Sequence, residues 1–107
     1  MIIPKSMEEI AGYVEGTETT VFFFTADWCG DCRYIKPHLP AIEAAFPDYR
    51  FVEVDRDRYM DLAKLWDIFG IPSLVVTKAG VEAGRLVNRK RKTKEEIMDF
   101  LETMKNT

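Results

Sequence analysis

The two cysteines of this 107-residue chain, Cys29 and Cys32, lie three positions apart in the segment TADWCGDC. A pair at this spacing suits two kinds of chemistry, reversible disulfide exchange and metal binding. Disulfide exchange needs a thiolate, because the thiolate is the form that attacks a disulfide bond. Asp27 and Asp31 stand beside the pair, and their negative charge opposes a thiolate. The secondary structure that carries the segment therefore decides what the pair can do.

The residues before the pair predict a buried strand, and those after it predict a helix. The run TTVFFFTA is apolar on both alternating faces, which is typical of a strand in the middle of a sheet. After the pair, apolar residues recur at helical spacing at Ile35, Leu39, Ile42 and Phe46.

The start of a helix is a favourable place for a thiolate. The first turn has unpaired N–H groups and carries the positive end of the helix dipole. We predict Cys29 as an exposed nucleophile and Cys32, one turn later, as the thiol that resolves mixed disulfides. Gly30 lets the chain bend tightly into the helix.

The remaining pattern predicts alternating helices and strands. Capping-box spacing at Ser6 with Glu9, and again at Thr93 with Glu96, predicts the starts of the first and last helices. The segments RFVEVD and YMDLAKLWDIF predict a second strand and a short helix. The segment IPSLVVTKAGVEAGRLVN predicts a hairpin with its turn at residues 79–80.

The order of these elements predicts an α/β fold with a mixed central β-sheet flanked by helices on both faces, in a single domain of residues 1–107. The first two strands are joined through a helix and are expected to be parallel, whereas the hairpin is antiparallel. Pro37 and Pro40 fall inside the helix after the cysteines. We expect a kink near Pro37 and not two helices, because the apolar stripe continues past it.

Composition narrows the class of protein. The formal net charge of −3 argues against a nucleic-acid partner. The start MIIPK has no stretch typical of a signal peptide, and no segment approaches the roughly 20 apolar residues of a membrane helix. We expect a cytoplasmic monomer that does not contact a membrane; in that reducing compartment a CxxC pair favours catalysis or metal binding over a structural role. The basic run NRKRKTK, residues 88–94, has two interpretations, a contact for a nucleic acid or anionic ligand and a solvated loop leading into an acidic helix. We favour the solvated loop, because the chain is acidic overall and the run contains no aromatic residue.

Other interpretations of the cysteine pair stay open. Two inert core cysteines would lie within an apolar run, whereas these follow one. A structural zinc site needs four ligands, and the chain offers two cysteines and one histidine, His38, which we expect on the surface or at the rim of the site. A metal bridging two chains would complete such a site and predicts zinc retained through purification. Trp28 is either a core aromatic or an apolar ledge that shields the pair and contacts substrate, and we favour the ledge.

The combined motifs resemble the thioredoxin family. The pattern F-x-A-x-W-C-G-x-C, a proline five residues after the second cysteine, and G-I-P-S-L opening a strand occur together, and the resemblance spans almost the whole chain. It implies the thioredoxin fold and a thiol–disulfide oxidoreductase that acts on protein disulfides through Cys29 and Cys32 without a bound cofactor or metal. A thioredoxin-reductase-like flavoprotein is the reducing partner that the resemblance implies.

The resemblance also implies how substrate is bound. It places a cis peptide bond between Ile71 and Pro72, where the Ile71 backbone can pair with an extended substrate segment. The substrate-binding residues expected on this basis are Trp28, Gly30, Asp31, Ile71 and Pro72.

Several positions depart from the family pattern. A buried aspartate six residues before the first cysteine is Phe23 here, and the lysine that accompanies it aligns with Glu53. The residue before the second cysteine is Asp31 in place of proline, and a glycine of the substrate groove aligns with Asn88. We expect Cys32 to lose its proton to solvent or to a rearranged base such as Glu53, and Asp31 to make the protein a stronger reductant. The alternative function is an adaptor module that keeps the fold and the dithiol but turns over poorly.

Overall fold

Helices and strands alternate in the predicted order in the structure, a computed structural model that describes residues 1–105. The α-helices in this range are α1 (Met7–Glu15), α2 (Gly30–Ile35), α3 (Leu39–Ala45), α4 (Met60–Leu65) and α5 (Lys94–Met104). The strands are β1 (Thr19–Thr25), β2 (Arg50–Asp55), β3 (Ser73–Lys78) and β4 (Val81–Leu86). The last two residues of the domain expected over 1–107 lie outside the described residues. No described helix is both long enough and apolar enough to cross a membrane.

The sheet is mixed, with the strand order β2-β1-β3-β4. β1 and β2 are parallel, whereas β1–β3 and β3–β4 are antiparallel, so both predicted pairings are confirmed. β1 is a central strand and is buried from its second residue to its last, as its apolar run predicted. The hairpin turn places Ala79 and Gly80 at positive φ angles of 52° and 81°, the left-handed backbone that such tight turns require.

Helices cover both faces of the sheet, as expected for the predicted fold class. Successive side chains of β1 point to opposite faces, so this strand contributes to two cores. On one face Phe22 and Phe24 pack with Ile10 of α1 and Leu62 of α4, and both cysteines belong to this cluster. On the other face Phe23 packs with apolar residues of α2, α3 and α5.

The helix after the cysteines is divided at a proline. Pro37 lies in a 3₁₀ turn, Lys36–His38, which joins α2 to α3. The backbone stays in the helical region on both sides of this turn, at Ile35 (φ −84°, ψ −23°) and at Leu39 (φ −61°, ψ −40°). The expectation of one kinked helix is therefore wrong, and the division falls at Pro37. Proline has no N–H to donate to the preceding turn, and two α-helical segments result.

Both predicted helix starts are capped by a hydroxyl oxygen. Ser6 Oγ accepts a hydrogen bond from the Glu9 N–H, and Thr93 Oγ1 accepts one from the Glu96 N–H, each at 3.1 Å. The Glu96 carboxylate returns to the Thr93 N–H and completes the capping box. The Glu9 carboxylate instead accepts from the Lys5 N–H, so the first helix carries half of the motif.

Candidate active site

The two cysteines lie at the junction of β1 with α2. Cys29 is the N-cap residue of α2, with an extended backbone (φ −83°, ψ 112°), and Cys32 lies in the first turn. Both are free thiols, and the Cys32 N–H donates to Cys29 Sγ at 3.2 Å. The Cys29 sulfur therefore occupies the acceptor position that a serine or aspartate oxygen usually takes at a helix start.

The two thiols differ in access, although both are buried. Cys29 is 6% exposed and borders a surface cavity of about 420 Å³, whereas Cys32 is 1% exposed and does not line it. The Cys29 thiol points toward the Ile71 carbonyl oxygen at 3.9 Å. The expectation of an exposed nucleophile is corrected here: Cys29 packs in the same core cluster as Ile71, and a substrate reaches its sulfur from the cavity.

Burial controls the protonation of Cys32. Desolvation, with a smaller contribution from the neighbouring Cys29 thiol, raises the pKa of Cys32 to about 11. The Thr25 hydroxyl and the Ala26 backbone oppose this rise in pKa. At pH 7 such a thiol is ionised in about one molecule in 10⁴, since each pH unit below the pKa is a factor of ten. Cys32 is therefore a thiol at neutral pH, and it must lose a proton before it attacks a mixed disulfide.

Thr25 can stabilise the ionised form of Cys32. Its hydroxyl is buried and has no hydrogen-bond partner of ordinary geometry among residues 1–105. A buried hydroxyl without a partner is costly, and a charged acceptor gives a stronger hydrogen bond than a neutral one. We expect the Thr25 hydroxyl to donate to the Cys32 sulfur once that sulfur carries a negative charge.

Phe23 and Glu53 are neighbours on β1 and β2, in keeping with their alignment to the aspartate and lysine of the family pattern. Phe23 is completely buried, and the Glu53 carboxylate lies 3.6 Å from Lys36 Nζ. Glu53 is not among the groups that shift the Cys32 pKa. The structure therefore favours Thr25 over Glu53 as the residue that assists Cys32.

Thr25→Val removes the hydroxyl and keeps the branched shape of the side chain. We expect it to slow the resolution of a Cys29 mixed disulfide about tenfold at pH 7, because a hydrogen bond to a charged group contributes about 1.5 kcal/mol. Glu53→Gln, the control, should leave the rate unchanged.

In wild type the rate of resolution should rise with pH through the neutral range, because the Cys32 pKa is about 11. Release of a chromogenic aromatic thiol from Cys29 measures each rate, and equal rates in Thr25→Val and wild type would show that the Thr25 hydroxyl does not stabilise the Cys32 thiolate.

The cavity beside Cys29 gathers most of the predicted binding residues. Its lining residues are Trp28, Cys29, Gly30, Asp31, Arg56, Phe69, Gly70, Ile71 and Arg89. Trp28 is 59% exposed, and its Nε1 donates to Asp57 Oδ2 at 2.7 Å. Its position agrees with a ledge and not with a core aromatic. Pro72 does not line the cavity, but the Ile71–Pro72 peptide bond is cis, as the resemblance implied.

The basic run, residues 88–94, is part of the site. The Lys92 side chain has no exposed surface, and its Nζ donates to Asn88 Oδ1 at 2.8 Å and to the Lys90 carbonyl oxygen. Desolvation accordingly lowers the pKa of Lys92. The expectation of a solvated loop holds for the exposed residues Arg89, Lys90, Arg91 and Thr93, but not for Lys92, which turns inward to bind oxygens of its own loop; Arg89 also lines the cavity. The alignment of Asn88 with a groove glycine of the family was the signal that this run begins at the site.

Gly70 allows the basic run to pack against the wall of the cavity. A Cβ at this position would clash with the carbonyl group of Asn88 and would lie 2.8 Å from the backbone nitrogen of Arg89. This close approach therefore requires glycine. Arg89 Nε also donates to the Phe69 carbonyl oxygen at 3.3 Å. The two chain segments are thus held together beside Cys29.

Asp31 is paired and is not an isolated negative charge. Arg91 Nε lies 3.0 Å from Asp31 Oδ1, and the Arg91 guanidinium lies over the Tyr34 ring, 4.2 Å from its centre. The repulsion between Asp31 and a Cys29 thiolate is therefore offset by a neighbouring positive charge.

Asp31→Asn and Arg91→Gln should shift the reduction potential in opposite directions. Asp31→Asn leaves Arg91 unpaired, favours the thiolate-bearing reduced state and makes the potential less negative, whereas Arg91→Gln does the reverse. Both side chains are partly exposed and screened by solvent, so we expect shifts of about 10 mV. Equilibration with a glutathione buffer measures the potentials. The double variant should return close to wild type, and shifts of the same sign in both single variants would refute this electrostatic explanation.

The described residues do not add to the two cysteines the further ligands that a metal site needs. No group of three or more histidine, cysteine, aspartate or glutamate side chains within residues 1–105 lies close enough together to hold a metal ion. His38 is exposed, and its ring lies 6.2 Å from the Tyr34 ring. Within one chain, the described residues therefore supply the two cysteines with no third ligand.

Comparison with known proteins decides the family. The thioredoxin family model matches residues 3–103. The chain belongs to the thioredoxin family. It is 33% identical to thioredoxin-3, mitochondrial, from Saccharomyces cerevisiae over 82 residues, and this alignment covers 77% of this chain and 65% of that protein. It is 36% identical to thioredoxin H2 from Arabidopsis thaliana over 77 residues, and this alignment covers 72% of this chain and 58% of that protein.

Solved thioredoxins share the fold. The crystal structure of thioredoxin NaTrxh from Nicotiana alata matches with a TM-score of 0.83 at 26% identity, over 96% of this chain and 90% of that one. The predicted thioredoxin fold is therefore confirmed. This thioredoxin-family chain nevertheless spans less than two thirds of the length of the two curated relatives, 65% of one and 58% of the other.

Proposed function

We propose that this protein is a thiol–disulfide oxidoreductase that reduces or exchanges disulfide bonds of protein substrates. The observation that carries the proposal is the arrangement of the two thiols. Cys29 borders an open cavity, and Cys32 lies buried one turn away with its N–H bonded to the Cys29 sulfur. An accessible thiol with a second thiol close behind it is what sequential disulfide exchange requires.

The reaction proceeds in two steps. In the first, the Cys29 thiolate attacks one sulfur of a substrate disulfide, a Cys29–substrate disulfide forms, and the other substrate sulfur leaves and takes up a proton. In the second, Cys32 loses its proton and attacks the Cys29 sulfur; the Cys29–Cys32 disulfide forms and the second substrate thiol is released. The substrate gains two electrons and two protons, and the protein dithiol becomes a disulfide.

The residues around the cavity would orient the substrate. Trp28 supplies an exposed aromatic surface next to the nucleophile, and Gly30 and Asp31 form the adjoining rim. Ile71, which Pro72 follows, offers backbone groups that can pair with an extended substrate segment. A thioredoxin-reductase-like flavoprotein would return the electrons to the dithiol. We further propose that residues 1–107 form one domain that acts as a monomer in the cytoplasm; two curated relatives are named as mitochondrial.

Reduction of insulin with a dithiol reductant tests the proposed function. We expect substoichiometric protein to accelerate precipitation of the insulin B chain. The rate should lie below that of a thioredoxin with the buried aspartate, because Phe23 occupies that position here. A protein that forms a disulfide with substrate but does not accelerate insulin reduction would support the adaptor alternative.

A further inference from the structure

The cavity beside Cys29 is bordered by positive charge in a chain whose formal net charge is −3. Arg56 and Arg89 both line the cavity. Within residues 1–105, Asp31 is the one carboxylate in the lining, and it is already paired with Arg91. The charge around the nucleophile is therefore opposite in sign to that of the chain as a whole.

The two arginines are attached to different walls of the cavity. Arg56 lies over the Trp28 ring, with Cζ 5.2 Å from the ring centre, and pairs with Asp57 at 3.2 Å. Arg89 is anchored by its Nε to the Phe69 carbonyl oxygen. Among residues 1–105 no carboxylate forms an ion pair with Arg89, and its two terminal nitrogens have no protein partner.

An unpaired guanidinium at the edge of a cavity favours an anionic ligand. The two terminal nitrogens of Arg89 can donate parallel hydrogen bonds to a carboxylate, the strongest geometry available to arginine. Arg56 is less suited to this role, because Asp57 already neutralises it. The main recognition residue is therefore Arg89.

The shape of the surface favours a polypeptide over a small thiol. A second hollow of about 440 Å³ shares Arg56 and Phe69 with the cavity beside Cys29. Its other lining residues are the apolar Met60, Ala63 and Ile68 and the oppositely charged Lys64 and Asp67. An extended segment can occupy both hollows, with its cysteine at Cys29 and a neighbouring apolar side chain beyond Phe69.

The cavity beside Cys29 and the second hollow together form a groove. We propose that this groove selects protein disulfides whose cysteine lies next to acidic residues, with Arg89 as the contact for a substrate carboxylate. The proposal rests on the proposed function and adds the class of substrate to it. The two exchange steps are unchanged: Arg89 binds the substrate and transfers neither electrons nor protons.

Three peptide disulfides that differ only in the residue next to cysteine, glutamate, glutamine or lysine, test this selectivity. The reduced full-length protein is mixed with each peptide at low salt, and release of the peptide thiol is followed through a single turnover. We expect the glutamate peptide to react about fivefold faster than the glutamine peptide and the lysine peptide to react more slowly still, since a solvent-exposed ion pair is worth up to about a factor of five. High salt should reduce the preference.

Two variants locate the preference. Arg89→Gln should reduce the ratio of the glutamate-peptide rate to the lysine-peptide rate to about twofold or less. Lys105→Gln is the matched control, because it removes one positive charge from a lysine that is paired with Glu102 and lies outside the groove. It should keep the wild-type ratio.

Each outcome has a separate meaning. Equal rates for the three peptides would overturn the acidic-substrate proposal and leave the proposed function intact, whereas no reduction of any peptide would overturn the proposed function itself. A preference that survives Arg89→Gln would show that Arg89 is not the contact. Faster reduction of glutathione disulfide than of the glutamate peptide, lost in Arg89→Gln, would show that the groove binds a small anionic disulfide and would overturn the assignment to polypeptides.

Discussion

Cys32→Ser should stop the reaction at the mixed disulfide, and Cys29→Ser should stop it before any substrate bond is broken. Cys29 is the thiol that borders the cavity, whereas Cys32 is 1% exposed with a pKa of about 11. Turnover should fall to the uncatalysed background in both variants, since neither can complete the two steps. Mass spectrometry after mixing with a peptide disulfide should find a covalent adduct in Cys32→Ser and none in Cys29→Ser.

Alkylation of the reduced wild-type protein provides an independent measurement. At pH 7 a small alkylating reagent should modify Cys29 well before Cys32, because the thiolate is the reactive form and Cys32 is almost entirely protonated. Equal labelling of the two thiols in the folded protein would contradict the assignment. Cys29→Ser is expected to remain folded, since a serine hydroxyl is a favourable N-cap acceptor for α2.

Gly70→Ala should destabilise the protein by about 3 kcal/mol, at the upper end of the usual cost of overpacking. A methyl group there would meet the backbone of Asn88 and Arg89, and backbone atoms cannot rotate away as a side chain does. For a domain of about 100 residues this free energy lowers the melting temperature by about 15 °C. Because the added methyl group would displace Arg89, the variant should also lose the preference for acidic peptides. Thermal and urea unfolding measure the change in stability.

Gly12→Ala is the matched control with the opposite expected sign. Gly12 lies inside α1, and a Cβ added there would have no neighbour within 4 Å. Alanine should stabilise this helix by about 0.5–1 kcal/mol, because glycine loses more backbone freedom on folding. If Gly70→Ala unfolded at the same urea concentration as wild type, the contact between the cavity wall and the basic run would not be the tight one described here.

Local pattern determined the secondary structure and the place of the dithiol. The apolar run of β1 predicted a central strand, since only a strand covered on both faces has no polar side. Ser6 and Thr93 predicted two helix starts, because their side-chain oxygens accept N–H groups that a helix leaves unpaired. The spacing of Cys29 and Cys32 at the strand–helix junction predicted one thiol at the helix start and the other one turn later. All of these features depend on residues within a few positions of each other.

Tertiary structure decided the electrostatics of the site and its outer wall. Asp31 and Arg91 are 60 positions apart in the chain, and their pairing arises because α2 and the basic run meet at one cavity. The approach of residues 88–89 to Gly70 likewise brings together the segment after β4 and the segment before β3. The raised pKa of Cys32 depends on how completely the folded core excludes water. Charge, solvation and access at the dithiol are thus set by residues distant in sequence, which hydrophobic periodicity and motif spacing do not place.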